Sequence, residues 1–234
     1  MNADAVYRSL QKKSCSEKAT SFARFFKAGP GEYGEGDCFL GVTVPDQRTI
    51  AKQFRNLERS SIAELLESKW HECRLTALLI LVLQFEKASE PQRREIVDFY
   101  IEKLDRVNNW DLVDSSAPKI LGVYSLEAPA YRKRIEQLAA SEQLWRERVA
   151  VLATYPHIKQ SDFQLILKLA KKFLSHKHDL MHKAVGWMLR ELGKKDVNVL
   201  IAFLEAHRHR MPRTMLRYAI EKMPPQQREL YLAK

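Results

Sequence analysis

Trp110 and Asp114 are four residues apart in the segment Asn-Asn-Trp-Asp-Leu-Val-Asp, which ends at Asp114. Residues with this spacing share one face of a helix, so the indole and the carboxylate could contact the same ligand. A carboxylate stabilises a nearby positive charge, and the face of an indole attracts cations. A second indole, Trp187, follows Lys183 by one helical turn later in the chain. The alternative is that both tryptophans are core residues and that Asp114 is an ordinary acid at the start of a helix.

Asp114 also belongs to a set of five charged residues at similar places in the chain: four bases each open a short apolar run, and Asp114, followed by Ser-Ser-Ala-Pro-Lys-Ile-Leu, stands at the fifth such place. Their intervals along the chain are 40, 34, 35 and 34 residues, and the set is Arg74, Asp114, Arg148, Lys183 and Arg217. This period is typical of stacked helical hairpins. If the repeats align, the five residues emerge at equivalent points along one surface. Four bases around one acid would suit a polyanion that needs a carboxylate at a single place.

The elements that position these residues are predicted to be helices throughout. Apolar residues recur at spacings of three and four along almost the whole chain, and no segment predicts a β-sheet. We expect an all-α solenoid of helical hairpins with a concave basic surface, in a single domain over residues 1–234. Residues 1–59 should hold N-terminal helices. The predicted hairpins cover 60–87, 90–124, 128–156, 161–193 and 196–222, with a short helix near 225–233.

Five of the eight glycines lie between Gly29 and Gly41, which predicts an irregular loop between the first and second helices. The segment lacks the glycine and lysine pattern of a nucleotide-binding loop. Pro45 then fits the first turn of the next helix. Arg48 and Lys52 follow one turn apart on that helix.

The formal charge of +10 is concentrated in the second half of the chain. Residues 1–131 hold 18 Lys and Arg against 19 Asp and Glu, whereas residues 132–234 hold 21 against 10. This distribution predicts an anionic partner that docks mainly on the C-terminal repeats, although a solvated basic surface without a ligand would give the same composition.

Other classes of protein are disfavoured by composition. No apolar run approaches the ~20 residues that a membrane-spanning helix needs, and residues 1–15 lack the apolar core of a secretory signal. Three cysteines without a close pair predict neither a disulfide framework nor a zinc site, so we expect a cytoplasmic protein. His176 and His178 are interpreted as exposed histidines of a basic face rather than as metal ligands.

Three segments together resemble the AlkD-type DNA glycosylases, a family of HEAT-like repeat proteins that remove alkylated purines from DNA. These segments are 109–114 (Asn-Trp-Asp-Leu-Val-Asp), 144–148 (Leu-Trp-Arg-Glu-Arg) and 183–191 (Lys-Ala-Val-Gly-Trp-Met-Leu-Arg-Glu). Residues 39–42 and 45–48 also resemble the family's N-terminal signature. The likeness runs in order from about residue 20 to about residue 222 and implies a HEAT-like fold.

The resemblance implies roles for individual residues. Asp114 resembles the catalytic carboxylate, and Trp110 and Trp187 resemble the aromatic pair that contacts the deoxyribose of the lesion. Arg148 and Arg190 are similar to residues that hold the DNA backbone. The full set of cations expected to bind DNA is Arg48, Lys52, Arg148, Lys183 and Arg190. The glycine-rich loop is longer than in some relatives, so no first-helix contact is transferred to Phe25 or Phe26.

The chemistry expected of such a site requires neither a metal nor an organic cofactor. Alkylation at N3 or N7 makes a purine positively charged and a good leaving group, so the remaining problem is the oxocarbenium ion that develops on the sugar. The resemblance implies that the lesion stays stacked while the protein contacts the backbone and sugar, unlike glycosylases that flip the nucleotide out.

The predicted function is therefore a monofunctional DNA glycosylase for N3- and N7-alkylated purines in duplex DNA. We expect a monomer that is cytoplasmic and associated with the nucleoid when it is bound to DNA. Two alternatives share the fold: a protein that recognises DNA structure without cleaving it, and a HEAT-like scaffold that binds other proteins. The sequence does not rank 3-methyladenine, 7-methylguanine and bulkier adducts, because the proposed contacts avoid the base.

Overall fold

The computed structural model describes residues 1–233. The chain forms two compact units, one of residues Met1–Ser116 and one that begins at Ala117. Within residues 1–233 the regular structure is helical, and the β pairing consists of an isolated parallel bridge between Cys38 and Trp70. The predicted all-α, helical-repeat fold is confirmed. The single domain and the concave basic surface stay predictions.

The first unit contains seven α-helices: α1 (Ala3–Gln11), α2 (Ser16–Phe25), α3 (Val44–Gln53), α4 (Arg59–Leu66), α5 (His71–Lys87), α6 (Glu90–Glu102) and α7 (Trp110–Ser116). A 3-10 turn, Leu104–Arg106, lies between α6 and α7. α4 and α5 form the hairpin predicted at 60–87. α6 begins at the predicted residue because Ser89 and Gln92 form a reciprocal capping box at its first turn.

Helix α5 is the centre of the first unit. Every residue from His71 to Val82 on it is buried, and α3, α4 and α7 pack against it. Each fully buried leucine, isoleucine or valine contributes roughly 1.5–3 kcal/mol relative to an exposed side chain. Arg74 lies inside this stretch and is only 2% exposed. The expectation that Arg74 emerges at a surface is therefore wrong.

The glycine-rich loop lies between α2 and α3, not between the first two helices. The helical segment is interrupted before Ser16 because Cys15 is extended and its backbone N–H donates to the Leu40 carbonyl rather than to a helical partner. Two helices therefore precede the loop. As predicted, Pro45 lies in the first turn of α3, and Arg48 and Lys52 follow on that helix.

The second unit begins with a π-helical segment, Pro118–Gly122. Its α-helices are α8 (Val123–Glu127), α9 (Pro129–Ala139), α10 (Leu144–Leu152), α11 (Tyr155–Lys159), α12 (Gln164–Lys172), α13 (Asp179–Lys195), α14 (Val197–His207), α15 (Arg213–Ala219) and α16 (Pro225–Leu232). The pairs α9–α10 and α12–α13 correspond to the hairpins predicted at 128–156 and 161–193. The region predicted as the hairpin 196–222 holds α14 and α15, which both pack on α13 rather than mainly on each other.

Helix α13 organises the second unit, because α10, α12, α14 and α15 all pack on it. Its closest neighbour is α15: a Cβ on Gly186 would come within 2.5 Å of the Met215 carbonyl oxygen. Only glycine allows this approach. No helix in residues 1–233 combines the length and the apolar character needed to cross a bilayer.

Candidate functional site

Trp110 and Asp114 lie one turn apart on the same side of α7, as the spacing predicts, and both are half-buried. Side chains cap the start of the helix: Asn109 Oδ1 accepts the N–H of Trp110 at 2.8 Å, and Asp111 Oδ1 accepts the N–H of Leu112 at 2.9 Å. These bonds satisfy backbone donors that have no partner within the helix. Trp110 therefore projects from a fixed first turn.

The far end of α7 is anchored in the core. Ser116 Oγ lies 2.9 Å from the hydroxyl of Tyr100, which is fully buried. Burial raises the pKa of Tyr100, the bond to Ser116 lowers it, and the negative charge of Asp114 adds a smaller rise. Asp114 thus acts electrostatically on the core while its side chain remains half-buried.

Two phenylalanines from the end of α2 hold the indole of Trp110. The Phe26 ring stacks on it, with centroids 5.3 Å apart and planes at 21°, and the Phe25 ring meets it edge-on at 5.7 Å. Phe26 is buried, whereas Phe25 is 63% exposed. Offset-stacked and edge-to-face pairs contribute about 0.5–1.5 kcal/mol beyond the area that they bury. The indole therefore packs on one side against an aromatic surface formed by these two rings.

A buried ionic cluster lies beside this aromatic surface and consists of Asp37, His71, Arg74 and Asp111. The two ring nitrogens of His71 bind different carboxylates: Nδ1 lies 2.9 Å from Asp37 Oδ2, and Nε2 lies 2.8 Å from Asp111 Oδ2. The guanidinium of Arg74 donates to Asp37 at 2.5 Å. The four side chains are 2–10% exposed. The cluster thus joins the glycine-rich loop, α5 and the first turn of α7.

Electrostatics hold this cluster in its charged form. Burial would lower the pKa of His71, but the charges and hydrogen bonds of Asp111 and Asp37 outweigh it and raise the pKa to about 9. Burial likewise would raise the pKa of Asp37, but His71 and Arg74 outweigh it and lower the pKa. Two carboxylates and two cations therefore balance one another in the interior, the condition under which buried charges persist.

The loop that carries Asp37 is fixed by a second buried carboxylate. Glu72 accepts the backbone N–H groups of Leu40, Gly41 and Val42 at 2.8–3.2 Å. Gly41 has φ +80°, and a Cβ there would lie 2.1 Å from the Cys15 carbonyl oxygen, so only glycine fits. The loop therefore meets α5 in a defined position.

In the second unit, α13 presents Lys183, Trp187 and Arg190 on one face, at intervals of four and three residues. Trp187 is half-buried. Lys183 Nζ lies 2.8 Å from Asp179, one turn earlier on the same helix. Arg190 pairs with Glu221 and lies 3.7 Å from Glu191. Two predicted phosphate ligands therefore contact carboxylates in the free protein.

Arg148 is buried rather than surface-exposed. It lies on α10, its exposed fraction is 4%, and its Nη1 donates to the Leu180 carbonyl in the first turn of α13 at 2.6 Å. The expectation that Arg148 emerges freely at a surface is wrong, because the guanidinium joins two packed helices. Its contact with a DNA phosphate stays a prediction.

Histidines surround the start of α13. His176 Nε2 lies 3.0 Å from Glu147, and His178 caps α13 by accepting the N–H of Leu180 at 3.1 Å. Burial, followed by the charges of His176, His182 and Arg148, lowers the pKa of His178. The predicted exposure of His176 is wrong, since its side chain is 20% exposed and bound. Within residues 1–233, no group of three or more His, Cys, Asp and Glu residues could hold a metal ion.

The predicted site residues fall into three groups. Trp110 and Asp114 share α7 in the first unit. Around α13 in the second unit lie Arg148, Lys183, Trp187 and Arg190. Arg48 and Lys52 are exposed on α3. The expectation that Trp110, Trp187 and Asp114 act on the same deoxyribose stays a prediction.

Sequence reasoning missed the ionic cluster and the phenylalanines against Trp110. His71 is 34 residues from Asp37 and 40 from Asp111, and no local pattern connects the three. The only available signal was Asp111 itself, which lies inside the motif that contains Trp110 and Asp114.

Comparisons with known proteins agree with this architecture. The model of a family described as DNA alkylation repair enzyme matches residues 6–223. Among solved structures, the chain is similar to one described as a predicted DNA alkylation repair enzyme from Enterococcus faecalis. The two are 15% identical with a TM-score of 0.71, and the match covers 91% of this chain and 98% of the other, a likeness of fold. A comparison with curated proteins gave no match.

Proposed function

The chain belongs to the DNA alkylation repair enzyme family, and we propose that it is a monofunctional DNA glycosylase for positively charged N3- and N7-alkylated purines in duplex DNA. One observation carries the proposal: an indole and a carboxylate lie one turn apart on α7, both half-buried. Side-chain hydrogen bonds and the Phe26 ring hold the first turn of that helix. A carboxylate beside an aromatic face is suited to a cation that exists only during the reaction.

The proposed reaction is hydrolysis of the bond between C1′ of the deoxyribose and the purine nitrogen. The bond breaks with its electron pair passing to the base, which leaves neutral because it began with a positive charge. The sugar becomes an oxocarbenium ion. Water then bonds to C1′ and loses a proton, which leaves a hydroxyl group there and an abasic site in the strand.

Asp114 supports this reaction by stabilising the sugar cation. A carboxylate about 4 Å from a unit positive charge supplies at most about 4 kcal/mol at an effective dielectric constant near 20. That energy corresponds to roughly a thousandfold in rate. The indoles of Trp110 and Trp187 would each add of order 0.5–2 kcal/mol of attraction for the cation. Acid catalysis at the base is not needed, since alkylation has already activated the leaving group.

The phosphate contacts are assigned to the cations of both units. Arg148, Lys183 and Arg190 adjoin or form the face of α13, and Arg48 and Lys52 are exposed on α3. The basic excess of residues 132–234 supports this assignment. Each phosphate that is neutralised releases counterions, so affinity for duplex DNA should fall steeply with salt.

The test is single-turnover release of free base from methylated duplex DNA by the wild-type protein and by Asp114→Asn. We expect the variant to release base between a hundredfold and about a thousandfold more slowly while it binds duplex DNA normally. Asp98→Asn is the matched control, because Asp98 lies on α6 with its side chain 57% exposed. It should release base at the wild-type rate.

Three results would contradict the proposal in different ways. Unchanged release by Asp114→Asn would remove the carboxylate from its role. Salt-sensitive duplex binding by the wild-type protein without release of any base would indicate a non-catalytic DNA binder. If the wild-type protein does not bind duplex DNA even at low salt, a scaffold for other proteins would be favoured.

A further inference from the structure

His71 connects three segments of the first unit that are distant in sequence. It lies at the start of α5, one ring nitrogen binds Asp37 of the glycine-rich loop, and the other binds Asp111 in the first turn of α7. Its side chain is 2% exposed. Trp110 immediately precedes Asp111 in α7, and Asp114 follows Asp111 about one turn later. A buried histidine therefore bears on the segment that carries the proposed chemistry.

The ring of His71 also belongs to the aromatic stack beneath Trp110. Its centroid lies 4.8 Å from that of Phe26 and 4.9 Å from that of Phe39. Phe26 in turn stacks on Trp110 at 5.3 Å. Two routes thus run from His71 to Trp110: one passes through Asp111 and the helix backbone, and the other passes through the Phe26 ring.

The geometry requires the charged form of the imidazole. A carboxylate only accepts hydrogen bonds, so a ring nitrogen that faces one must carry a proton. Both nitrogens of His71 face carboxylate oxygens, at 2.9 Å and 2.8 Å. A neutral imidazole has one N–H and would direct a lone pair at the other carboxylate. Only the imidazolium satisfies both.

We propose that the imidazolium of His71 is a positioning group, which holds Asp111 and the Phe26–Trp110 stack so that α7 presents Trp110 and Asp114 to the DNA sugar. The inference rests on the proposed function for its effect on catalysis. The position that it assigns to α7 is a property of the free protein and can be measured without DNA.

The charged groups around His71 determine what deprotonation would do. Asp37 faces it from the loop and Asp111 from α7, while Arg74 of α5 binds Asp37. The neighbouring Glu72 is engaged by the backbone of residues 40–42. Removal of the proton leaves one carboxylate without a balancing cation in the interior. Because the pKa of His71 is raised to about 9, this change should occur above neutral pH.

The first experiment follows the wild-type protein by NMR, with labelled histidine and tryptophan side chains, as the pH rises from about 6 to 9.5. We expect His71 to carry protons on both ring nitrogens at neutral pH and to titrate near pH 9. The indole N–H signal of Trp110, identified with Trp110→Phe, should shift with the same midpoint. Titration of His71 at or below its ordinary pKa would overturn the proposal. So would a Trp110 indole N–H signal that does not shift as His71 titrates.

The second experiment compares base release by His71→Gln with that of the wild-type protein. We expect the variant to release base about tenfold or more slowly, because small displacements of catalytic groups are costly, while its affinity for duplex DNA changes by less than about twofold. The wild-type rate should decline as the pH approaches 9, and the variant should lose that decline. A His71→Gln variant with the wild-type rate and pH profile would contradict the positioning role of His71.

His157→Gln is the matched control, since His157 is also fully buried and bonded, at 2.7 Å to Ser125, but lies in the second unit. It should keep the wild-type pH profile. If His71→Gln fails to fold, the titration of the wild-type protein still decides the question. If the wild-type protein releases no base, the proposed function fails, whereas the NMR midpoints still test the positioning of α7.

Discussion

Phe26 and Trp110 stack with their ring centroids 5.3 Å apart and their planes at 21°, so the residue that follows α2 supports the first residue of α7. Phe26 is the first residue after α2 and is 8% exposed. The contact joins two segments more than eighty residues apart in the chain. It orients the half-buried indole through contacts within the first unit.

Replacement of Phe26 by leucine should loosen Trp110. The aromatic contacts contribute about 0.5–1.5 kcal/mol, so we expect a loss of roughly 1–2 kcal/mol in the free energy of unfolding. Base release should also slow, and by more than a lower amount of folded protein would explain. Urea unfolding and single-turnover assays would measure the two effects. Phe203→Leu is the control, because Phe203 is also 8% exposed but lies on α14; equal effects of both variants on release would contradict the role of Phe26.

Arg148 and Lys183 should both affect DNA binding, but only Arg148 should also affect stability. Arg148→Ala removes a buried donor and leaves the Leu180 carbonyl without it, at a cost of about 1–3 kcal/mol. Lys183→Ala removes a partly exposed side chain that pairs with Asp179, so stability should change by less than about 0.5 kcal/mol.

Salt titrations of duplex binding would test the two variants together with thermal unfolding. Each substitution should reduce the slope of log affinity against log salt by about one, if each cation contacts one phosphate. An unchanged slope for Arg148→Ala, together with lower stability, would leave Arg148 as a link between α10 and α13 and nothing more.

Glu221→Gln should strengthen DNA binding. Arg190 pairs with Glu221 in the free protein, and that carboxylate must be displaced or share the guanidinium when a phosphate arrives. The neutral variant removes both the competition and one negative charge, so we expect affinity to rise about two- to fivefold at low salt. Glu229→Gln on the exposed face of α16 is the control for net charge alone. Equal gains from both variants would show that Arg190 is not the cause.

The stability of the protein should fall as the pH rises from about 7 to 8.5. His71 has a pKa near 9 when folded and near 6.5 when unfolded, so its stabilising effect is complete below pH 6.5 and is lost as the pH rises through 9. Linkage gives a total of about 3 kcal/mol for such a difference. Urea unfolding at several pH values would measure the slope.

His157, His178 and Cys73 also have shifted pKa values, and they act outside this pH window. Burial lowers the pKa of His157 and of His178, whose effects fall below pH 6.5. Burial raises the pKa of Cys73 to about 11, so the Cys73 thiol affects stability only as the pH approaches and passes 9. His71→Gln should therefore remove most of the slope between pH 7 and 8.5. A slope that survives in this variant would assign the effect to another group.

The hairpins of the second half of the chain could be predicted from the sequence because their signal is local. Apolar residues three and four apart define each helix, and prolines or capping residues mark many of the ends. The same reasoning placed Trp110 and Asp114 on one side of a helix, which the structure confirms. A helical period carries this information within a few turns, without reference to the rest of the fold.

Burial of charged residues could not be predicted in the same way. Arg74 and Arg148 each begin an apolar run, and that pattern does not reveal whether a guanidinium meets solvent or a buried partner. The partners, Asp37 for Arg74 and the Leu180 carbonyl for Arg148, are 37 and 32 residues away in the chain. Tertiary packing alone brings them together, so the sequence pattern overstated the exposure of both residues.

The glycine-rich loop is bonded to the rest of the first unit from Gly34 onward, including through Asp37, whereas Gly29 and Glu32 at its tip bond to each other. The N–H of Gly34 donates to the Lys27 carbonyl at 2.9 Å, and Glu72 fixes Leu40 to Val42, while Gly29 is bonded by Glu32 within the tip itself. Insertions or deletions at this tip should therefore leave α7 where it is. The length of this tip can therefore vary without moving the segment that carries Trp110 and Asp114.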